Sequence, residues 1–492
     1  MSELKRTVYF IGVGSIAETL SGVVSNKIVA LSLGPSGTGL MGQVNNFYGI
    51  GVTLAELGLL IGITRFIAEA KEKNDNHLIE SIITTSFIFS SLLALLITVF
   101  SAVFAKQISR WFLGSASYYS LIWIASPGLI FSSLYRKCDS VFQGLRDARL
   151  ITQTRIAIAL IMPFITFGCV KLMGLDGAVV TTLLRQILAG GMIFYLLLHS
   201  LSQNALTFTL KNFDWGILHN LLKIGISTMV VNLLISLSST QVRSQIVNLF
   251  GLDGAGHYQA AWGLIYMITS LTLSTLSYYT FPKVTSSKND ADRAYVINES
   301  IAFGVAIMTA GSLALIVPRE LIVKIFFRSD FASAESLLPL FGLGAIFYIS
   351  WWIIGTPLIS KGRLAPLVIL NAIPSGLFVL FTFILLPKFG ILGVGIAYTM
   401  ANAITLLINI FDEYKSINLK LSLENVILLF ISLLVILLQV FIHRSNAWNI
   451  VIRVGLACGW SVGMLLLTKK YFSLNSMAQT LLGKFKITKG NR

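Results

Sequence analysis

Glu18, Glu56 and Asp139, with Arg136, Arg185 and Arg243, stand inside stretches that are otherwise apolar. An ionisable side chain at the centre of a bilayer costs about 2.5–3.5 kcal/mol on insertion scales, so each must face a partner or a water-filled cavity. Helical spacing sorts them. Asn232, Ser236, Ser239, Thr240 and Arg243 recur at steps of three and four and share one face. Gln259, Tyr266, Thr269, Ser270, Ser277 and Thr280 do the same on the following helix, with Trp262 among them. Asn46, Thr53, Glu56 and Thr64 form a third stripe, which Gly49 opens, and Ser132, Arg136, Asp139 and Gln143 a fourth. Ser15, Glu18, Gly22 and Ser25 lie within one broad face. Serine and threonine alone are as well explained by helix–helix packing. Stripes that carry a charge point to a cavity instead. There arginine suits an anion through paired hydrogen bonds, and a desolvated carboxylate can exchange protons near neutral pH.

Some of these charges have a local explanation. Arg136 and Asp139 are three apart, and Arg65 and Glu69 four apart, so each pair is placed to neutralise itself along one helix. Lys27 projects nearly opposite Glu18 on an ideal helix and is placed to snorkel to the surface. Arg155 and Arg185 fall nearer the inner ends of their predicted helices. Cytoplasmic anchoring is their default, and capture of an anionic substrate is the alternative. The five histidines (77, 199, 219, 257 and 443) are dispersed and give no metal-ligand spacing. No phosphate-cradling loop with an adjacent lysine and serine or threonine occurs. We therefore expect no catalytic constellation, no ATP hydrolysis, no metal and no cofactor.

The elements that must position these residues are membrane helices. The chain has 492 residues, 55% of them hydrophobic and only 12% charged, against about 25% charged in a soluble domain. Apolar runs predict spans near 7–33, 39–66, 79–105, 118–144, 150–172, 177–199, 217–250, 255–282, 294–318, 335–360, 364–387, 391–411, 422–443 and 448–471. Each reaches the 20 or so residues a crossing needs. The expected fold is all-α and polytopic, with about fourteen transmembrane helices. The formal charge of +16 is spread over short loops, which argues for topology rather than nucleic acid. Placing both termini in the cytoplasm puts Lys5, Arg6, Lys71, Lys73, Arg146, Arg149, Lys288, Lys361, Arg363 and the basic tail inside. Cys138, Cys169 and Cys458 are scattered and suggest no disulfide. The start has no small-residue cleavage site and reads as a retained first span.

The chain also repeats itself. Asn26–Gln43 returns as Arg243–Gln259: Gly34, Gly37 and Gly39 register with Gly251, Gly254 and Gly256 at a spacing of 217 residues. Lys171–Gly177 aligns with Lys388–Gly393 at 216 to 217. Two turns with nearly one offset imply a duplication. The expected halves are residues 1–212 and 213–415, six helices each. Because six is even, they would be parallel repeats about an axis along the membrane normal, with a pathway between them. The polar faces of helices 1, 2, 7 and 8 would then meet. Residues 416–492 add a helix pair and a basic tail.

Three motifs carry a family resemblance. L-S-L-G-P-S-G-T-G-L-M-G-Q-V-N-N-F (31–47), Q-G-L-R-D-A-R (143–149) and F-F-R-S-D-F-A-S-A-E-S-L-L-P (326–339) resemble the bacterial Wzx-type oligosaccharide flippases of the multidrug/oligosaccharidyl-lipid/polysaccharide exporter superfamily. The likeness covers about residues 1–415. Many members look twelve-helical, so the extra C-terminal pair is a departure. The resemblance implies a flippase in the cell inner membrane. It would move a polyprenyl-diphosphate-linked oligosaccharide, such as an O-antigen unit of lipopolysaccharide, to the outer leaflet by rocker-like alternating access. A polysaccharide polymerase and chain-length machinery are implied partners, besides membrane lipids. On that reading Arg243 and Arg136 are the first candidates for the diphosphate, with Lys27, Arg65 and Arg185 behind them. Asn46, Asn232, Gln259 and Tyr266 suit the sugar, and Glu18, Glu56 and Asp139 are candidates for proton or sodium coupling. The alternatives are an ion-coupled multidrug exporter of the same superfamily, a membrane glycosyltransferase or polymerase, and a non-transporting scaffold.

Overall fold

A computed structural model describes residues 3–203, 209–287, 289–357, 364–417, 419–442 and 447–468. Lys288, Lys361, Arg363 and the tail from Lys469 lie outside these, and with them part of the charge pattern behind the expected topology. The described residues are helical or in short connections, with no strand among them. The helices are α1 (Glu3–Glu56), α2 (Leu59–Glu72), α3 (Asn76–Val103), α4 (Ala105–Leu113), α5 (Tyr119–Ala125), α6 (Gly128–Gly144), α7 (Ala148–Gln203), α8 (Trp215–Ser286), α9 (Asp290–Ile316), α10 (Arg319–Phe326), α11 (Ala332–Ile354), α12 (Leu364–Phe389), α13 (Leu392–Ile417), α14 (Leu423–Phe441) and α15 (Ala447–Thr468). Among the described residues nine helices are long and apolar enough to cross a membrane. Three of these, within α1, α7 and α8, are 44, 55 and 63 residues long. Counting those twice, and adding α5 with α6 and the shorter apolar stretch Ile450–Met464, gives the expected fourteen crossings. The chain is an all-α polytopic membrane protein.

The long helices double back at single glycines. A straight 54-residue helix would be about 80 Å long, far beyond the bilayer. In α1 the chain reverses at Gly34 (φ 65°, ψ −165°), a conformation open essentially to glycine alone, and Pro35 removes the next amide donor. In α8 Gly251 has the same geometry (φ 66°, ψ −171°). In α7 the turn is Gly174 (φ 57°), and its counterpart in sequence, Gly390, also has positive φ (61°). The agreement extends to packing. A Cβ on Gly177 would lie 2.0 Å from the Cys169 carbonyl oxygen, and one on Gly393 would lie 2.4 Å from that of Leu385.

Two further breaks fall where the sequence predicts continuous helices. One is at Leu57 and Gly58 (φ 43° and 73°), between α1 and α2. Gly58 is pressed on the Gly225 carbonyl oxygen, 2.0 Å from where a Cβ would stand. The other is at Ser126–Pro127, between α5 and α6. There the Leu129 amide bonds Ser126 instead of Ala125, and Tyr48 Oη donates to the released Ala125 carbonyl at 2.7 Å. A released carbonyl at membrane depth needs such a partner.

The chain divides into two compact units. The first comprises residues 1–260 and 323–331, the second 261–322 and 332–492. In the first, one apolar core joins Leu59, Ile63, Ile82, Phe87, Phe142 and Ile193, and another joins Val44, Phe47, Phe112, Leu121, Leu129 and Val179. Within this unit the Gly34 and Gly251 turns clasp each other reciprocally. A Cβ on Gly39 would meet the Leu252 carbonyl oxygen at 2.5 Å, and one on Gly256 would meet that of Pro35 at 2.1 Å. Ser36 Oγ donates to Asp253 Oδ1 between them. In the second unit Trp262, Phe341 and Tyr398 meet edge-to-face, with ring centroids 5.1–5.8 Å apart. The C-terminal pair is bonded into this unit. Arg453 on α15, fully buried, donates to Glu320 at 3.1 and 3.2 Å and to the Val317 carbonyl at 3.1 Å. Arg319 donates to the carbonyls of Gln439 and Ile442. Asn298 on α9 is bonded by the Asn425 side chain and the Ser422 amide. Large apolar side chains lie exposed on many helices, among them Phe164, Leu172, Phe383, Phe430 and Phe441. That is how a surface facing lipid is composed.

Candidate functional site

Apart from the local pairs Arg65–Glu69 and Arg328–Asp330, the described ion pairs of the first unit join different segments of the chain. Arg136 and Asp139, both on α6, do not neutralise each other. Arg136 Nε lies 3.1 Å from Glu56 Oε1 at the end of α1, where the carboxylate is almost wholly buried beside the Leu57–Gly58 break. Asp139 Oδ1 lies 3.5 Å from Arg155 Nη2 on α7, and Gln143 Nε2 donates to its other oxygen at 2.8 Å. A turn of α6 places Lys137 on a different face. It is buried, with Nζ donating to Ser91 Oγ at 2.9 Å and standing over the Phe87 ring at 5.1 Å.

Glu18 on α1 reaches both halves of α7. Its Oε1 accepts from Arg185 Nη2 at 2.5 Å, and its Oε2 lies 4.0 Å from Arg155 Nε. Arg155 Nη1 donates to Ser15 Oγ at 3.1 Å, and Tyr135 shares the cavity wall with it. Close packing of α1 on α7 makes this possible. Gly14 touches the Arg155 stem and the Thr152 backbone, with a Cβ position 3.4 Å from each, and further along Thr166 Oγ1 bonds Ser25 Oγ at 3.3 Å. Around these groups lies a cavity of about 260 Å³ lined by Glu18, Ser132, Tyr135, Arg136, Thr154, Arg155, Ile158, Arg185, Gln186 and Ala189. Its wall holds three guanidiniums and one carboxylate, together with hydroxyl and amide groups. Such a wall can bind an anion bearing a hydrogen-bonding neighbour.

Arg243 on α8 stands elsewhere in the same unit. It is buried, donates from Nη1 to Gln259 Oε1 and lies 5.0 Å from the centroid of the Tyr258 ring. Gly42 makes the space, since a Cβ there would lie 2.4 Å from Nη1. Among the described residues no carboxylate pairs with it, and its Nε finds no acceptor. Asn46 is half-buried with an unpartnered Nδ2, and Asn232 is exposed. Arg65 pairs with Glu69 at 2.7 Å, both well exposed. Lys27 is half-buried and, like Arg65, is absent from the cavity wall. Tyr266 belongs to the second unit, exposed and stacked on Trp262 at 6.3 Å. The structure thus brings Glu18, Asp139, Arg136 and Arg185 around Arg155, with Glu56 behind Arg136. In the sequence anchoring is the default for Arg155 and anion capture the alternative, since nothing in its spacing reveals Asp139 and Glu18. Lys137 carried no signal beside Arg136 in the run Tyr135-Arg-Lys-Cys-Asp139.

The described residues form a polytopic helical bundle with an ionised cavity between its helices. Residues 4–288, more than half of the chain, match the polysaccharide biosynthesis protein family, and the chain belongs to that family. The Lipid III flippase of Escherichia coli (strain K12) is 21% identical over 77% of this chain and 90% of its own length. Stage V sporulation protein B of Bacillus subtilis (strain 168) is 26% identical over 31% of this chain and 29% of its own. Among solved structures, the Lipid II flippase MurJ in an inward closed conformation superposes with a TM-score of 0.73 at 16% identity, over 94% of this chain and 99% of that one. An inward-facing multidrug resistance MATE transporter of the MOP superfamily gives 0.71 at 16% identity, over 82% and 94%. The chain shares the fold of these solved flippase and transporter structures.

Proposed function

We propose that this protein flips a polyprenyl-diphosphate-linked oligosaccharide, an O-antigen or related repeat unit, from the cytoplasmic to the outer leaflet of the cell inner membrane. Alternating access between the halves 1–212 and 213–415, with both termini cytoplasmic, carries the movement. The observation that supports this most is the cavity wall with the three guanidiniums of Arg136, Arg155 and Arg185, a match for a diphosphate and its attached sugar. The name of the Escherichia coli relative points the same way. Arg155, Arg185 and Arg136 take the anion. Arg243, buried without a carboxylate, is a second anion position, because an uncompensated buried cation favours a counter-ion. Lys27 and Arg65 contribute less, Arg65 being neutralised by Glu69. Asn46, Asn232, Gln259 and Tyr266 meet the sugar. Glu18, Glu56 and Asp139 couple transport to a proton or sodium gradient, and a polymerase with its chain-length machinery receives the product.

The test uses purified protein in liposomes carrying a polyprenyl-diphosphate glycan. We expect the glycan to become accessible on the opposite leaflet, faster with an ion gradient, and Arg155→Ala to remove that exposure. Uptake of cationic dyes with no glycan exposure would replace this reading by the multidrug exporter.

A further inference from the structure

The carboxylate of Glu18 fits its place poorly. One oxygen is tightly held by Arg185, while the other stops 4.0 Å short of Arg155 Nε, beyond hydrogen-bonding range. That Nε is buried and has no acceptor. A buried, charged donor without an acceptor is costly. Arg155 is otherwise held by Asp139 on Nη2 and Ser15 on Nη1. The two ion pairs also differ in access. Arg155 and Asp139 are 18% and 15% exposed, but Glu18 and Arg185 are 39% and 42% exposed. The inner pair is anchored, and the outer pair can be exchanged.

We propose that Glu18 is a built-in occupant of the anion site, held by Arg185 beside Arg155 in the empty protein, and that a diphosphate binds by displacing it. This rests on the flippase reading above and names the site within it. From its place on α1 the Glu18 carboxylate satisfies Arg185 but leaves Arg155 Nε without an acceptor. A diphosphate spreads its oxygens over two phosphorus centres. It reaches Arg185 and the orphaned Nε together while Asp139 and Ser15 hold Arg155 still. The groups facing Glu18 in the cavity are Arg155, Arg185, Arg136 and Tyr135, with Asp139 behind Arg155. Displacement therefore frees one carboxylate among cations that the ligand now neutralises.

The test is calorimetric binding of methylenediphosphonate to the purified full-length protein. If Glu18 competes, Glu18→Gln tightens binding about fivefold, the equivalent of one partly exposed ion pair, while Arg155→Gln weakens it about tenfold. A misfolded variant cannot bind more tightly, so the sign of the Glu18→Gln effect is decisive. Unchanged or weaker binding by Glu18→Gln overturns the proposal. The liposome assay on the unsubstituted protein separates the two ideas. Glycan flipping with no gain in Glu18→Gln removes the competitor and keeps the flippase. A gain in Glu18→Gln without glycan flipping keeps the displaceable anion site and removes the flippase reading.

Discussion

Glu56 and Arg136 form one ion pair with two very different members. The carboxylate is 4% exposed, whereas the guanidinium is 47% exposed. Removing either partner breaks the same 3.1 Å contact, but it orphans unlike groups. Glu56→Gln leaves a guanidinium that water still reaches, and the cost should be that of an exposed pair, about 1 kcal/mol. Arg136→Met leaves a carboxylate buried beside the Leu57–Gly58 break. Loss of one partner from a buried pair costs about 3–5 kcal/mol. Lys137, on the same helix, keeps part of the compensation, so we expect about 2–3 kcal/mol. The double variant removes the orphan and should return to within about 1 kcal/mol of the parent. Reversible unfolding in mixed micelles, or the thermal midpoint of detergent-solubilised protein followed by tryptophan fluorescence, would measure all four proteins. If Glu56→Gln destabilises as much as Arg136→Met, or if the double variant shows no rescue, burial does not set the cost and this reasoning is wrong.

Two other expectations follow from contacts within each unit. Arg453→Met should strand the half-buried Glu320 and loosen α15, lowering stability by about 3 kcal/mol without altering diphosphonate affinity; limited proteolysis of the C-terminal pair would register it. Cysteines replacing Ser36 and Asp253 should be joined by a short bis-thiosulfonate reagent, because the native side chains hydrogen-bond across the two glycine turns. Glycan flipping that survives the crosslink would show that the turns need not part during transport.

The turns were legible in the sequence because glycine at a reversal has a physical signature. Gly34, Gly174, Gly251 and Gly390 were aligned by spacing alone, and each proves to have positive φ. The break at Leu57–Gly58 was not legible. Leucine at φ 43° is held there by Gly225 of another helix, and such a tertiary contact leaves no local pattern. The cavity was legible as a set of stripes but not as a set of bonds. Helical periodicity shows which residues share a face, so Asp139 was paired with the neighbour it could reach along α6. Its partner, Arg155, lies on α7. Glu56 and Arg136 are 80 positions apart, beyond any helical period. Arg243 was singled out by its stripe. Its partner Gln259 had also been identified, but for a sugar, because nothing in one dimension shows that Gly42 leaves room for the two to meet.

The clasp of the two glycine turns is a self-complementary surface held within one polypeptide. Gly39 meets Leu252, and Gly256 meets Pro35, the residue 217 positions before Leu252. Reciprocity of this kind is the mark of a two-fold dimer, where every contact is made twice by identical residues. In such a dimer a single change at the seam lands on both sides, so a charge introduced there meets its own copy. A chain carrying both copies escapes that rule. Ser36 and Asp253 occupy matching positions, yet one donates and the other accepts. Two aspartates there would repel, and two serines would bond only weakly. Fusion is what allows a polar, unequal pair to sit on the seam.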